Sequence, residues 1–205
     1  AGVEAVVHLA AIVGDPACAA NPAAAKAINR DGTLTVFSES RAAGVRRLVF
    51  ASTCSNYGKM KHPDGFVDEY TELAPVSLYA ETKVEFERML LDPERTGEIC
   101  ATPLRFATIY GVAPRMRFDL TVNEFTMEMV ANKRLTVYGE QFWRPYLHVR
   151  DAAAAVALVL ESPEAHVKNR VFNVGADDQN FTKKHLVRMI APHAPDAVVE
   201  YVKKI

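Results

Sequence analysis

Short apolar segments alternate along this chain with longer segments of helical periodicity, and no other feature of the sequence constrains the fold as strongly. Strands are predicted at residues 5–11, 46–53, 99–106 with a continuation to 109–111, 135–138 and 171–174, and helices at 22–43, 78–91, 121–132, 152–161 and 182–191. Strands that are apolar throughout are typical of a parallel sheet whose two faces are covered by helices. The pattern therefore predicts an α/β fold built on a parallel sheet.

Flanking residues predict where the first long helix begins and ends. Pro22 suits a first helical turn, and Gly44 is a typical C-terminal stop, which together predict one helix over residues 22–43. We interpret residues 14–16, a Gly-Asp-Pro sequence, as a polar loop between the first strand and this helix.

Charge and cysteine content argue against several classes of function. The formal net charge is -1, so nothing favours binding to nucleic acid or to an anionic membrane surface. No apolar run reaches the ~18 residues that would span a bilayer. Cys18, Cys54 and Cys100 are widely spaced and form no CxxC pair. That spacing predicts reduced thiols in a reducing compartment, the cytoplasm, and no bound metal.

Tyr79 and Lys83 are the first candidates for chemistry. Four residues apart on a helix, they share one face, and a nearby cation favours the phenolate form that exchanges protons near neutral pH. Tyr57 and Lys61 have the same spacing, but in a loop that contains Gly58, where this spacing does not align side chains. The alternative for the Tyr79 pair is an ordinary surface i,i+4 contact.

Ser52 and Thr53 end the second predicted strand, 26 residues before Tyr79. The carboxyl end of a parallel strand is where an open α/β sheet presents its ligands, so a hydroxyl there could bind a substrate hydroxyl or the Tyr79 phenol. For an isolated Ser-Thr, a simple turn at the strand end is the better explanation.

Several motifs, in order along the whole chain, resemble the extended short-chain dehydrogenase family, which includes the UDP-galactose 4-epimerases and other nucleotide-sugar epimerases and dehydratases. The principal three are FASTCSNYG at residues 50–58, SLYAETK at 77–83 and LRFATIYG at 104–111. Weaker matches are HLAA at 8–11, NRDGT at 29–33, RPYLHVRD at 144–151 and FNVG at 172–175. The resemblance implies a Rossmann-like, doubly wound parallel sheet and an NAD cofactor, with NADP not excluded.

The resemblance also implies roles for individual residues. Tyr79 would be the acid/base, Lys83 would assist it and hold the nicotinamide ribose, and Thr53 would bind the reacting sugar hydroxyl. The residues implied to line the cofactor, besides Tyr79 and Lys83, are Leu9, Ala10, Ala11, Asn29, Ser52 and Phe106. Those implied to contact a nucleotide-sugar substrate, besides Thr53, are Thr108, Asn123, Tyr138 and Arg144, with Arg144 on the diphosphate. A surface arginine beside Trp143 is the alternative for Arg144.

This sequence departs from the family pattern in several places. The chain opens with Ala1, already close to a strand, and shows no Gly-rich phosphate-binding turn, so we expect the first βαβ unit of the fold to be missing from it. Thr108 replaces a usual asparagine. We expect residues 1–113 to be the remainder of the dinucleotide-binding domain. Residues 114–205 would form a small C-terminal substrate-binding portion, with 145–175 returning to the sheet.

The type of reaction is predicted from Cys54 and Ser55. In the family that this chain resembles, sugar 4,6-dehydratases carry an Asp-Glu pair at these two positions, and elimination of water requires such an acid and base. Alternation along a strand would turn Cys54 away from the site. The remaining Thr, Tyr and Lys predict epimerisation by reversible hydride transfer. A nucleotide-sugar reductase or dehydrogenase and a non-catalytic nucleotide-binding relative stay as alternatives. The resemblance further implies a homodimer through helices 22–43 and 78–91.

Overall fold

The structure of the protein is a computed structural model that describes residues 2–58 and 65–203. Lys61, the partner of Tyr57 in the second tyrosine–lysine spacing, lies outside the described residues. The chain forms two compact units, the first made of Ala1–Phe106 and Ala154–Val174, the second of Ala107–Ala153 and Gly175–Ile205. Whether these units are a cofactor domain and a substrate domain stays a prediction.

The strands are β1 (Ala5–His8), β2 (Arg47–Thr53), β3 (Cys100–Phe106), β4 (Thr108–Tyr110), β5 (Arg134–Tyr138), β6 (Trp143–His148), β7 (Phe172–Val174), β8 (Asn180–Thr182) and β9 (Val198–Val202). The helices are α1 (Asp15–Ala20), α2 (Pro22–Ala25), α3 (Thr33–Ala42), α4 (Leu78–Leu90), α5 (Pro93–Thr96), α6 (Thr121–Ala131), α7 (Val149–Glu161), α8 (Glu164–Val167) and α9 (Lys183–Ile190). A π-helix spans Lys26–Gly32, and 3₁₀ turns span Cys54–Tyr57, Asp177–Gln179 and Ala191–His193.

The first unit is built on a four-stranded sheet of order β1-β2-β3-β7, in which every neighbouring pair is parallel. All seven residues of β3 are buried, as expected for a strand covered on both faces. Phe86 and Leu90 of α4 pack with Leu48 and Phe50 of β2, and the Phe50 and Phe86 rings lie 4.8 Å apart at 63°. Burying one such side chain contributes about 1.5–3 kcal/mol, so this contact fixes α4 on β2.

The second unit contains two small sheets. In one, β6 pairs in parallel with β4 and antiparallel with β8; in the other, β5 pairs in parallel with β9. Its core includes Phe125 and Met129 of α6, Val137 of β5 and Tyr146 of β6. Strands β6, β8 and β9 were not predicted, since they are short or lack an unbroken apolar run.

Four local predictions were wrong. The first strand, predicted over residues 5–11, ends at His8. Residues 15 and 16 do not form a loop: α1 begins at Asp15, and Pro16 lies in its first turn. The helix predicted over 22–43 contains a π-helical segment in place of regular α-helix. The predicted continuation of the third strand past Phe106 is a separate strand, β4, which pairs with β6 instead of β2.

Candidate functional site

Helix α4 places Tyr79 and Lys83 on one buried face. Ser77 caps the helix, because its Oγ accepts a hydrogen bond from the Ala80 amide at 3.2 Å. Tyr79 is 8% exposed and Lys83 is 5% exposed. The pair is therefore not a surface contact; charged side chains such as Glu81 instead occupy the outer face of the helix.

The Lys83 ammonium lies against the end of strand β2. Its Nζ donates to the carbonyl oxygen of Ala51 at 2.7 Å and lies 4.5 Å from the centroid of the Phe50 ring and 5.9 Å from that of Tyr79. Burial lowers the pKa of Lys83 to about 8, although the Cys18 thiol opposes the shift. A buried amine that titrates near neutral pH beside a tyrosine ring is suited to proton chemistry.

Thr53 is the last residue of β2 and caps the 3₁₀ turn that follows. Its Oγ1 accepts a hydrogen bond from the Ser55 amide at 3.1 Å, and the residue is 8% exposed. This oxygen carries its own hydrogen and can still donate it to a ligand. We predicted that strand alternation turns Cys54 away from the site. That argument does not apply, because β2 ends at Thr53 and Cys54 belongs to the turn.

The segment after β1 carries the predicted cofactor residues Leu9 and Ala10, both exposed, and Ala11, which is half-buried. Asn29 holds this segment through the next residue, Ile12: the Ile12 amide donates to Asn29 Oδ1 at 2.7 Å, and Asn29 Nδ2 donates to the Ile12 carbonyl at 2.9 Å. Asn29 itself is buried within the π-helix. Its side chain therefore shapes the segment that Leu9 and Ala10 present.

Ser52 and Phe106 are the remaining predicted cofactor residues, and both are buried. Phe106 ends β3 and pairs in register with Thr53. The Ser52 hydroxyl donates to Glu87 Oε2 at 2.8 Å, and Arg105 also binds this carboxylate. Our sequence reasoning missed Glu87 and Arg105. The signal for Glu87 was its place four residues after Lys83, on the same helix face as Tyr79.

The four predicted substrate residues of the second unit lie on separate elements. Thr108 is half-buried in β4, and Arg144 is exposed in β6. Asn123 of α6 accepts from the Gly111 amide at 3.3 Å and donates to the Arg117 carbonyl at 3.1 Å, so it orders the segment between β4 and α6. Tyr138 ends β5 and is 53% exposed. Exposed Tyr138 and Arg144 are available to a ligand.

Within residues 2–58 and 65–203, no group of three or more His, Cys, Asp or Glu side chains is arranged to hold a metal ion. Over the same residues no helix combines the length and apolar character needed to cross a membrane.

Comparison with known proteins decides the family. The sequence matches the NAD dependent epimerase/dehydratase family over residues 1–175, most of its length. This chain belongs to that family. The predicted Rossmann-like α/β fold with a parallel sheet is confirmed by its likeness to solved members.

Three family members illustrate the similarity. An uncharacterized UDP-glucose epimerase of Bacillus subtilis, YtcB, is 31% identical over 182 residues, which cover 87% of this chain and 55% of that protein. The UDP-glucose 4-epimerase of Corynebacterium glutamicum is 29% identical over 204 residues, or 92% and 60% of the two chains. The structure of the Thermus thermophilus UDP-glucose 4-epimerase in complex with NAD matches with a TM-score of 0.83 at 27% identity, covering 98% of this chain and 64% of that one. This chain thus spans between half and two thirds of the length of these relatives.

Proposed function

We propose that the protein is an NAD-dependent nucleotide-sugar epimerase that acts by reversible hydride transfer through a keto-sugar intermediate. The observation that carries the proposal is the buried face of α4, where Lys83 lies 5.9 Å from the Tyr79 ring and bonds to the strand that ends at Thr53. Membership of the epimerase/dehydratase family supports it.

The residues at the carboxyl end of β1 and β2 fit a nicotinamide dinucleotide. Leu9 is 60% exposed directly after the buried last residue of β1, His8, and so offers apolar surface to a flat ring where parallel sheets bind ligands. An ammonium group has three hydrogen-bond donors. Lys83 uses one on Ala51, so its chemistry suits the hydroxyls of a ribose.

In the proposed mechanism, Tyr79 as phenolate takes the proton of a sugar hydroxyl, and Thr53 donates a hydrogen bond to the same sugar oxygen. Bound NAD would supply the hydride acceptor and donor for the carbon that bears this hydroxyl. Between the two transfers the keto-sugar rotates, so that the hydride is returned to the opposite face of its carbonyl carbon. Tyr79 then returns the proton to the sugar oxygen. Lys83 in its charged form stabilises the phenolate throughout.

The residues after Thr53 favour epimerisation over elimination of water. The 3₁₀ turn after Thr53 carries Cys54 and Ser55 in its first positions, where a dehydratase would need an acid and a base. Thr53, Tyr79 and Lys83 suffice for reversible hydride transfer. A reductase or dehydrogenase would use the same three residues, but would release its cofactor in every cycle.

We propose that the substrate is held by Thr108, Asn123, Tyr138 and Arg144, with Arg144 on the diphosphate. Exposed Arg144 supports this role, because a guanidinium binds phosphate oxygens in a bidentate manner. Arg144→Lys is expected to raise the KM for a UDP-sugar about tenfold and to leave kcat within a factor of about two, since uniform binding is lost. Initial rates on the full-length protein test this, and a fall in kcat with unchanged KM would contradict it.

The experiment that tests the proposed function is to denature the purified full-length protein and quantify the released nicotinamide cofactor by chromatography. Roughly one NAD per chain is expected, because an epimerase must retain its cofactor between half-reactions. Incubation with UDP-glucose should then produce a 4-epimer without added cofactor. Product formation that requires stoichiometric added NAD would indicate a dehydrogenase. A full-length protein that neither holds cofactor nor turns over substrate would support the non-catalytic alternative.

We further propose a homodimer through the 22–43 segment and helix α4. Ile28 and Leu34 support this, since both expose apolar side chains, 47% and 36% respectively, on that segment. Light scattering of the full-length protein measures the mass directly. The cytoplasmic location stays a prediction from the three cysteines.

The lowered pKa of Lys83 has a consequence for stability. The folded protein releases the Lys83 proton at about pH 8, whereas an ordinary lysine has a pKa of 10.5. The unfolded chain therefore binds more protons between these values, and the free energy of unfolding rises with pH across the window, by about 3 kcal/mol in all. Urea unfolding of the wild type and of Lys83→Met measures this effect. Above pH 8 the free energy of unfolding should rise more steeply with pH in the wild type than in Lys83→Met, and well below pH 8 the two should change with pH in the same way. Parallel pH profiles would contradict burial of the ammonium.

A further inference from the structure

Glu87 lies on the same face of α4 as Tyr79 and Lys83, one further helical step along, and is 1% exposed. Four donor groups surround its carboxylate. Ser52 Oγ donates at 2.8 Å, Asn56 Nδ2 at 3.0 Å, and Arg105 Nε at 3.0 Å, while Arg105 Nη2 makes a further short contact. These donors come from β2, the 3₁₀ turn and β3, so one carboxylate joins α4 to three other elements.

Arg105 extends the network away from α4. This side chain is 4% exposed, and its Nη1 donates to the Tyr57 hydroxyl at 2.8 Å. The Tyr57 hydroxyl in turn lies 2.6 Å from Asn173 Oδ1 on β7. We call Ser52, Asn56, Tyr57, Glu87, Arg105 and Asn173 the Glu87 cluster.

Such a cluster is costly for stability alone. Two buried charges lose several kcal/mol of hydration each, and apolar residues of the same volume often stabilise a fold equally well. None of the proposed chemistry uses Glu87 or Arg105 directly. A buried network whose charged groups are paired does, however, fix elements in one arrangement that apolar packing alone would define less sharply. In this cluster the carboxylate and the guanidinium are paired, whereas Asn56 Oδ1 has no hydrogen-bond partner among the described residues.

We propose that Glu87 is a positioning residue that fixes helix α4 against the end of β2, so that Tyr79 and Lys83 are held in their reactive geometry. This inference rests on the proposed function. The geometry is a two-point attachment: Lys83 bonds to the Ala51 carbonyl, and Glu87, one helical turn later, bonds to the neighbouring Ser52 hydroxyl. Without the Glu87 point, the ammonium that assists Tyr79 must take a larger share in holding this polar face of the helix to the end of β2.

Glu87→Gln removes the charge and one acceptor oxygen while keeping the side chain's shape. Glu85→Gln is the matched control, because Glu85 lies on the same helix and pairs with Arg30 at 3.0 Å, but on the solvent side, where the two side chains are 55% and 48% exposed. Ser52→Ala is a second test variant. It removes the bond between Glu87 and β2, together with the bond that the Ser52 hydroxyl accepts from Asn56 Nδ2, and leaves the buried ion pair, so we expect it to fold.

Two readouts on the full-length protein separate positioning from a structural role. In Glu87→Gln, kcat for the UDP-sugar is expected to fall about 10- to 100-fold, with KM nearly unchanged, because displacement of reacting groups by about 1 Å has effects of this size. The second readout is the titration of Lys83, followed by the ¹³C shift of its Cε and assigned by its loss in Lys83→Met. Its midpoint should rise by about one pH unit as the ammonium gains access to water.

The direction of the titration shift is decisive. Lys83 is surrounded by Tyr79 on its own helix, Cys18 on α1 and His8 on β1, and the last two couple electrostatically to it. If Glu87 acted on Lys83 only by its charge, its removal would lower the Lys83 midpoint, since a carboxylate favours an ammonium. A rise therefore reports movement, and a fall or no change in a folded Glu87→Gln protein would overturn the proposal.

In Glu85→Gln, kcat and the titration midpoint of Lys83 must equal those of the wild type. If they change as much as in Glu87→Gln, a specific role of Glu87 is overturned. If Glu87→Gln does not fold, the same two readouts on Ser52→Ala decide, with smaller changes expected in the same directions. If the wild type proves inactive, the proposed function fails, but the Lys83 titration still tests the positioning by itself.

Discussion

Tyr79→Phe is expected to lower kcat of the full-length protein by about 10²–10⁴-fold, the usual contribution of a general acid or base. The substitution removes only the phenolic oxygen that would exchange the proton of the sugar hydroxyl. The ring that packs beside Cys18 and Ala25 is kept. We therefore expect loss of turnover without loss of the fold, measured as initial epimerisation rates and as the urea unfolding midpoint.

The matched control is Tyr70→Phe. Tyr70 lies in the same unit of the protein but is 96% exposed, so removal of its hydroxyl should leave both rate and stability unchanged. Cofactor content must be measured for both variants, because loss of bound NAD would lower the rate for a different reason. A Tyr79→Phe protein that retains cofactor and wild-type turnover would refute the assignment of the acid/base.

Gly58→Ala is expected to lower the free energy of unfolding by about 3 kcal/mol or more. Gly58 has φ 59° and ψ -131°, a conformation that side chains strongly disfavour. A Cβ there would lie 1.6 Å from the carbonyl oxygen of Ala74. Because the backbone fixes the position of the Cβ and the carbonyl oxygen is a backbone atom, no change of rotamer can relieve the overlap, and the 3₁₀ turn after Thr53 or the segment of Ala74 must move.

Gly44→Ala separates backbone strain from steric overlap as the causes of that loss of stability. Gly44 also has a positive φ, 70°, but no atom lies within 4 Å of the position that an alanine methyl group would take, so only backbone strain of about 1–2 kcal/mol is expected. Urea unfolding of the two variants measures the difference. Equal losses would show that the segment before Pro75 yields readily and does not hold the turn in place.

The parallel sheet could be predicted because its strands are apolar on both faces. β2 and β3 are the clearest cases, and both were predicted close to their observed bounds. The π-helix could not be predicted, since residues 26–32 have ordinary helical composition. Its register is associated with tertiary bonds between Asn29 and the Ile12 backbone, 17 residues away. β9 was missed because Glu200 interrupts its apolar residues, so the five-residue segment shows no unbroken apolar run.

The candidate site, like the fold, could be predicted from the sequence only in part. The spacing of Tyr79 and Lys83 predicts a shared helix face, and the structure confirms that face and buries it. Ser52 was predicted at the cofactor, whereas the structure directs its hydroxyl to Glu87. The Glu87 contact with Arg105 joins two ordinary charged residues 18 positions apart, and only the packing of α4 on β3 brings them together. Sequence periodicity carries no information on such partners.

The order of the strands affects how the protein can fold while it is being synthesised. β7 completes the first sheet by pairing with β3, yet β3 ends at Phe106 and β7 begins at Phe172. At about 5–20 residues per second, a ribosome needs roughly 3–13 seconds to add the intervening residues. During that delay the outer edge of β3 in the nascent chain is open to pairing with the wrong strand. Slower translation of this region would lengthen the exposure, and a chaperone that covers the edge would act in this interval.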